Sequence, residues 1–371
     1  MAEKKTSIGG QALIEGIMMK GPHNTAIAVR LPNGKIDVTD FKEINLKDKG
    51  AFFSLPIIRG VANLIVSLIS GYKALMYSAE KSLEDENTDE NGDREGTNET
   101  AKAAETAAPE ENTAKDEKEE INKPEKHGGA DEKSKKKSAS DILFSVLTVA
   151  ASVVGVTLAI VLFMMIPSCI FNLINAAATP GVAVNWAHIW NGIDGGKLNL
   201  YRAFIEGLLK LAIFIGYIAV VTLQKDIKRV FQYHGAEHKT IFCYEKGLPL
   251  TVENCRRQIR FHPRCGTSFM FLMIIVGILI STVVVIFFPS VTKLTVLWAA
   301  IKILLVPLFC GVGYELIKYC GRHDNLFTKI VSAPGLWVQR LTTKEPDDGM
   351  LEVAIASVER VIPENEEDDK W

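Results

Sequence analysis

The sequence predicts a mainly α-helical, polytopic membrane protein with about four transmembrane helices and a small N-terminal cytoplasmic β-hairpin unit. Three observations carry that prediction. Apolar runs long enough to cross a ~30 Å hydrocarbon layer, roughly 20 residues at helical rise, occupy residues 142–166, 203–223, 269–288 and 294–317. Basic residues crowd the 225–268 loop between the second and third runs. Near the N-terminus, strand-like stretches at 25–31 and 35–41 flank Pro32-Asn33-Gly34, and Asn-Gly between such runs is a strong hairpin signal.

Residues 1–54 therefore read as a β unit. They open on polar, glycine-rich sequence rather than the apolar core of a cleavable signal peptide. Residues 55–81 form the next element. Positions 55–77 are apolar but interrupted by Arg59, Asn63 and Lys73, which points to an interfacial amphipathic helix, with a dip into the bilayer as the alternative. The stretch 82–140 is rich in Glu, Asp, Lys, Asn and Ala and lacks aromatic residues, so it cannot bury enough apolar surface to offset its ordering entropy. It reads as a disordered charged linker whose basic end, 133–137, abuts the first span.

The transmembrane core is assigned to 141–318. Its first and third runs carry no charge, whereas the second contains Glu206 and Lys210 and the fourth Lys302, which together suit a buried ion-pair cluster. Neither repeats nor paired half-helices of a transporter are apparent. Lys225, Lys228, Arg229, Lys239, Lys246, Arg256, Arg257, Arg260 and Arg264 set the 225–268 loop on the cytoplasmic side, against only Lys197 and Arg202 in the preceding loop. Both termini then face the cytoplasm of a plasma-membrane protein. In the C-terminal segment, 319–371, residues 332–340 read as a turn followed by an aromatic anchor, Trp337. An amphipathic helix opens at Asp347-Asp348, and 364–369 reads as a solvated, mobile acidic tail.

Composition excludes two classes. A net charge of −2 with no basic stripe interleaved by aromatics argues against nucleic-acid binding. Six cysteines without a CxxC pair argue against a secreted disulfide scaffold.

The chemistry concentrates in His234-Gly235-Ala236-Glu237-His238. On a helix continuing from the second span, His234, Glu237 and His238 at i, i+3 and i+4 share one face within reach of one ion. Two imidazoles and a third donor suit a divalent cation, zinc above all, and a neighbouring carboxylate, Glu237, suits a catalytic base. The spacing H-x-x-E-H also matches the inverted zinc-protease motif, whose third ligand is a distant glutamate. Glu315, at the inner end of the fourth span, could fill that place, with His262 and Cys265 as rivals from the intervening loop. Gly235 weakens the helix by roughly 1 kcal/mol relative to Ala. The plainer alternatives are headgroup binding by the His/Arg loop, a pair of Glu237 with Lys239 or Arg264, a tight turn at 262–265, and a pair of Glu315 with Lys318 or Arg322.

Long motifs at 9–22, 233–240, 262–269, 313–315 and 334–339 resemble the YqhQ-like family of uncharacterised bacterial membrane proteins, over nearly the whole chain except the charged linker. The resemblance implies a metal-dependent enzyme and leaves the substrate open. Its N-terminal motif adds Gln11, Glu15 and His23 to the polar groups on the cytoplasmic side, and Glu15 or His23 could complete the site. Together these readings describe a metal-dependent hydrolase acting on a membrane-associated substrate. The alternative is a non-catalytic membrane scaffold or assembly factor whose His/Arg loop binds lipid headgroups or a protein partner.

Overall fold

Strands β1 (Gly9–Leu13), β2 (Gly16–Lys20), β3 (Thr25–Arg30) and β4 (Ile36–Phe41) form an antiparallel meander in the order β1-β2-β3-β4. The structure is a computed structural model and describes residues 5–41, 55–88, 139–193, 196–292 and 294–369. Its helices are α1 (Ile58–Thr88), α2 (Ala139–Ile160), α3 (Ile166–Ala178), α4 (Trp186–Asn191), α5 (Arg202–Val221), α6 (Lys225–Glu245), α7 (Val252–Arg256), α8 (Gly266–Phe287), α9 (Thr295–Arg322), α10 (Leu326–Thr342) and α11 (Asp348–Glu359). A π-helical turn, Val161–Met165, joins α2 to α3.

The β3–β4 hairpin closes around Gly34 at φ +83°, a left-handed conformation that glycine adopts without steric cost. The β unit is larger than the single hairpin expected. Gly9 and Gly10 lie in a strand, and Gly10 pairs with Met19 where a Cβ would run into the Met18 carbonyl and the Met19 sulfur. Alternation then sorts the side chains. Ile17, Met19, Ala26 and Ala28 share a core with α6 and α11, whereas Leu13, Met18, Ile27 and Val29 pack with Ala74 and Tyr77 of α1. Because both faces are covered, β3 is buried from Thr25 to Val29 and shows no polar alternation. The N-terminal strands and the C-terminal α11 thus belong to one packed unit.

Five helical segments are long and apolar enough to cross a bilayer: Ile58–Ser82, Ala150–Ala178, Asn199–Val221, Gly266–Phe287 and Thr295–Arg322. By length and composition the chain is a multi-pass membrane protein with one more candidate span than the four expected. The addition is the segment read as interfacial, since Arg59, Asn63 and Lys73 do not interrupt the helix. Apolar side chains on these helices face outward, with Val296 77% and Leu304 79% exposed, as lipid contact requires and water disfavours.

Other expectations are revised. The first span runs past residue 166, through the π turn, to Ala178. Most of the 82–140 linker lies outside the described residues, but α1 extends to Thr88. Residues 332–340 are helical, not a turn: α10 continues through Pro334, and Gly335 packs against Ser268 of α8, too closely for any side chain there. Trp337 remains half exposed. The 364–369 tail is not wholly solvated, for Asp369 is buried and accepts hydrogen bonds from Thr6 Oγ1 (2.5 Å), Ser7 N (3.0 Å) and Tyr244 Oη (2.8 Å).

Candidate metal centre

Helix α6 is not a continuation of α5. A turn at Thr222–Gln224, tightened by the Leu223 N–H to Val220 and Gln224 N–H to Val221 bonds, separates them. The separation lets α6 pack beneath the sheet, with Tyr233, Ala236, Ile241 and Cys243 in its core. Gly235 faces the Lys344 carbonyl too closely for any side chain, so the glycine that weakens the helix also permits the chain after α10 to cross it. That crossing is fixed by the Lys344 N–H to Phe231 O bond, 2.8 Å.

The two imidazoles of α6 lie with ring centroids 4.5 Å apart. Nδ1 of His234 bonds the Thr342 carbonyl (2.8 Å), and Nδ1 of His238 bonds the Arg260 carbonyl (2.5 Å). A carbonyl only accepts, so each Nδ1 carries a proton, and in the neutral ring each Nε2 presents a lone pair. Nε2 of His234 stands 3.1 Å from Cys265 Sγ; Nε2 of His238 is buried without a hydrogen-bond partner. One ligand atom from each of His234, His238 and Cys265 lies within 4.8 Å of the other two, close enough for a single ion.

Cys265 is the N-cap of α8 and accepts from the Thr267 N–H (3.4 Å). Burial resists ionisation of its thiol, but His234 and His238 outweigh it and hold the thiol well below its ordinary value. Burial likewise disfavours a charged His234, yet the sulfur of Cys265, Glu237 and the Thr342 carbonyl push it up to about 9. Glu237 is 5% exposed and accepts from the Gly10 N–H of β1 (3.1 Å). Burial pushes its carboxyl above the usual range, only partly opposed by His238 and His234.

His262 borders this group, its ring centroid 5.6 Å from that of His238. Its Nε2 is buried without a hydrogen-bond partner, 3.6 Å from Glu245 Oε2 and so beyond bonding distance. Burial pulls its pKa down to about 4 against the pull of Glu245. Glu245 also takes the Arg264 guanidinium and the Thr6 N–H (3.0 Å).

The remaining candidates sit elsewhere. Glu315, expected as the distant third ligand with a pair to Lys318 or Arg322 as the alternative, forms a two-pronged pair with Arg59 of α1 (2.6 and 2.5 Å). Glu15, at φ +48° in the β1–β2 turn, pairs with Arg229 (2.5 Å) and accepts from the Oη of Tyr233 (3.2 Å), the residue before His234. Gln11 lies against Gly71 of α1, and His23 is exposed beside Asp368 (3.2 Å). Lys239 pairs with Glu345 and Arg264 with Glu245, so neither takes Glu237. Gln339 was not singled out, although it lies within the 334–339 motif. It accepts from the His262 N–H, donates to the His262 carbonyl and to Ser268 Oγ, all at 2.7 Å, and so fixes the 262–265 loop on α10.

The donor set fits zinc on the evidence of the orphaned His238 Nε2 and a thiol favoured as thiolate, which together with His234 make three protein ligands. Residues 55–364 match a family described as "Protein of unknown function (DUF1385)". The chain is 31% identical over 357 residues to "Uncharacterized protein YqhQ" of Bacillus subtilis (strain 168), covering 95% of this chain and 92% of that protein. No solved structure matches. With most of its length matched on both counts, from α1 through the histidines to α11, the chain belongs to the DUF1385 family.

Proposed function

We propose that this protein is a metal-dependent hydrolase of the plasma membrane, with zinc held by His234, His238 and Cys265 at the cytoplasmic face and a membrane-associated substrate. The observation that carries this reading is the pair of carbonyl-locked imidazoles, whose Nε2 atoms converge with a thiol although one of them has no hydrogen-bond partner. The basic 225–268 segment supports the cytoplasmic side. When bound, a zinc ion supplies Lewis acidity at this point. The chain supplies the rest: Gly10 N–H steadies Glu237, and burial raises its affinity for a proton taken from an attacking water.

Elemental analysis of detergent-purified protein is the test. Stoichiometric zinc is expected, lost in a His234→Ala/His238→Ala double variant and in Cys265→Ser. Glu237→Gln should keep the zinc and lose turnover by roughly a hundredfold or more. A zinc-free protein that functions fully in cells would overturn the assignment in favour of a scaffold.

The 3.1 Å approach of Cys265 Sγ to His234 Nε2 favours a second reading, a cysteine nucleophile with a histidine base. It requires activity that survives chelation and is abolished by thiol alkylation.

A further inference from the structure

A second polar cluster lies among the membrane-spanning helices, remote from the histidines in sequence. Glu206 of α5 is 3% exposed. Its Oε1 accepts from Arg202 Nε (2.8 Å), and its Oε2 accepts from Lys302 Nζ (2.7 Å) and Trp298 Nε1 (2.9 Å). Both carboxylate oxygens are occupied. One anion thus faces two cations, Arg202 at 2% and Lys302 at 6% exposure.

Lys210 adds a third cation. It lies one turn beyond Glu206 on α5 and has no hydrogen bond or ion pair among the described residues. Lys210, Lys302 and Glu206 line a cavity of about 320 Å³ whose other walls are mostly apolar, including Phe163, Phe214 and Met273. Lys210 is eight residues into its helix, roughly 12 Å along the axis, and Lys302 seven residues into α9, roughly 10 Å. At such depths an unbalanced charge is costly and marks a functional site. Counting Arg202, the cluster carries two positive charges more than negative.

We infer that this cavity binds an anionic amphiphile, its chain along the apolar wall and its carboxylate or phosphate against Lys210 and Lys302. The volume falls within the ~300–1,000 Å³ range of ligand pockets and suits part of one chain rather than a whole two-chain lipid. The excess charge requires an anion, and the apolar lining requires a hydrocarbon attached to it. The inference does not depend on the metal centre.

The full chain in phosphatidylcholine nanodiscs, probed separately with spin-labelled stearate, phosphatidic acid and phosphatidylcholine, tests it. The immobilised fraction of the label, read by electron paramagnetic resonance, should favour at least one anionic probe by about fivefold over phosphatidylcholine. Preference for stearate alone identifies a carboxylate ligand, and for phosphatidic acid alone a phosphate. Lys210→Met should abolish the preference while leaving the Glu206 cluster intact. Equal immobilisation of all three probes by the parent protein would overturn the inference whatever the variant does, as would an unchanged preference in a folded Lys210→Met protein.

Discussion

Glu206 and His238 are nearly equally buried, at 3% and 1% exposure, yet they sit in opposite circumstances. The two oxygens of Glu206 receive three donors, whereas Nε2 of His238 receives none. Burial alone therefore does not separate a structural clamp from a ligand site; what separates them is whether the polar atom is satisfied by the fold itself. Glu206 ties α5 to α9 with both oxygens satisfied, while the α6 histidines are positioned through Nδ1 and His238 is left open at Nε2.

The contrast is broken most forcefully at Glu206. Glu206→Gln leaves Arg202 and Lys302 buried without a counter-charge and should cost about 3–5 kcal/mol in denaturant unfolding of the detergent-solubilised protein, with zinc content per folded chain unchanged. A variant as stable as the parent would show that the cluster is no clamp.

A somewhat smaller effect is expected on acidification. His262 has its folded pKa pulled down to about 4 from an ordinary 6.5, so between these values the unfolded chain binds more protons than the native one. Stability contributed by the neutral imidazole is complete above pH 6.5 and is lost as pH falls toward 4, by up to roughly 3 kcal/mol. Glu245, lowered in the native state by His262 and Arg264 against its burial, acts in the same direction at still lower pH. Unfolding free energies measured across this range should lose most of their slope in His262→Gln; an unchanged slope would assign it to other groups.

The smallest effect sharpens the contrast. Glu15 pairs with Arg229 close to His234, but both side chains are partly solvated, at 28% and 48% exposure. Glu15→Gln should change stability by less than about 1 kcal/mol and leave zinc content untouched. Loss of zinc in this variant would extend the centre to the β1–β2 turn.

Local rules made part of this centre legible. Spacing at i and i+4 puts His234 and His238 on one helical face, and the rings indeed lie side by side. The Asn33-Gly34 hairpin is equally local. What stayed out of reach depends on distant packing. Cys265 was one of several rival donors because its approach to α6 is decided where α8 begins, a relation no local pattern encodes. Glu315 was placed as a distant ligand, with neighbours on its own helix as the plainer partners, whereas the Arg59 it pairs with comes from α1. The β1–β2 hairpin was hidden because glycine ordinarily weakens a strand; here Gly10 is required by the approach of Met18 and Glu237. Asp369 looked like one more acidic tail residue, and only the fold brings Thr6 and Tyr244 to it.

The two-sided covering of the sheet has a consequence for biosynthesis. Strands β1–β4 emerge from the ribosome before α11, which caps the face bearing Ile17, Met19, Ala26 and Ala28 and follows about three hundred residues later. At ~5–20 residues per second that interval lasts roughly 15–60 s, during which the nascent strands expose an apolar face beside the membrane being threaded. The order of translation therefore leaves that face incompletely covered until the segment that closes the domain is made.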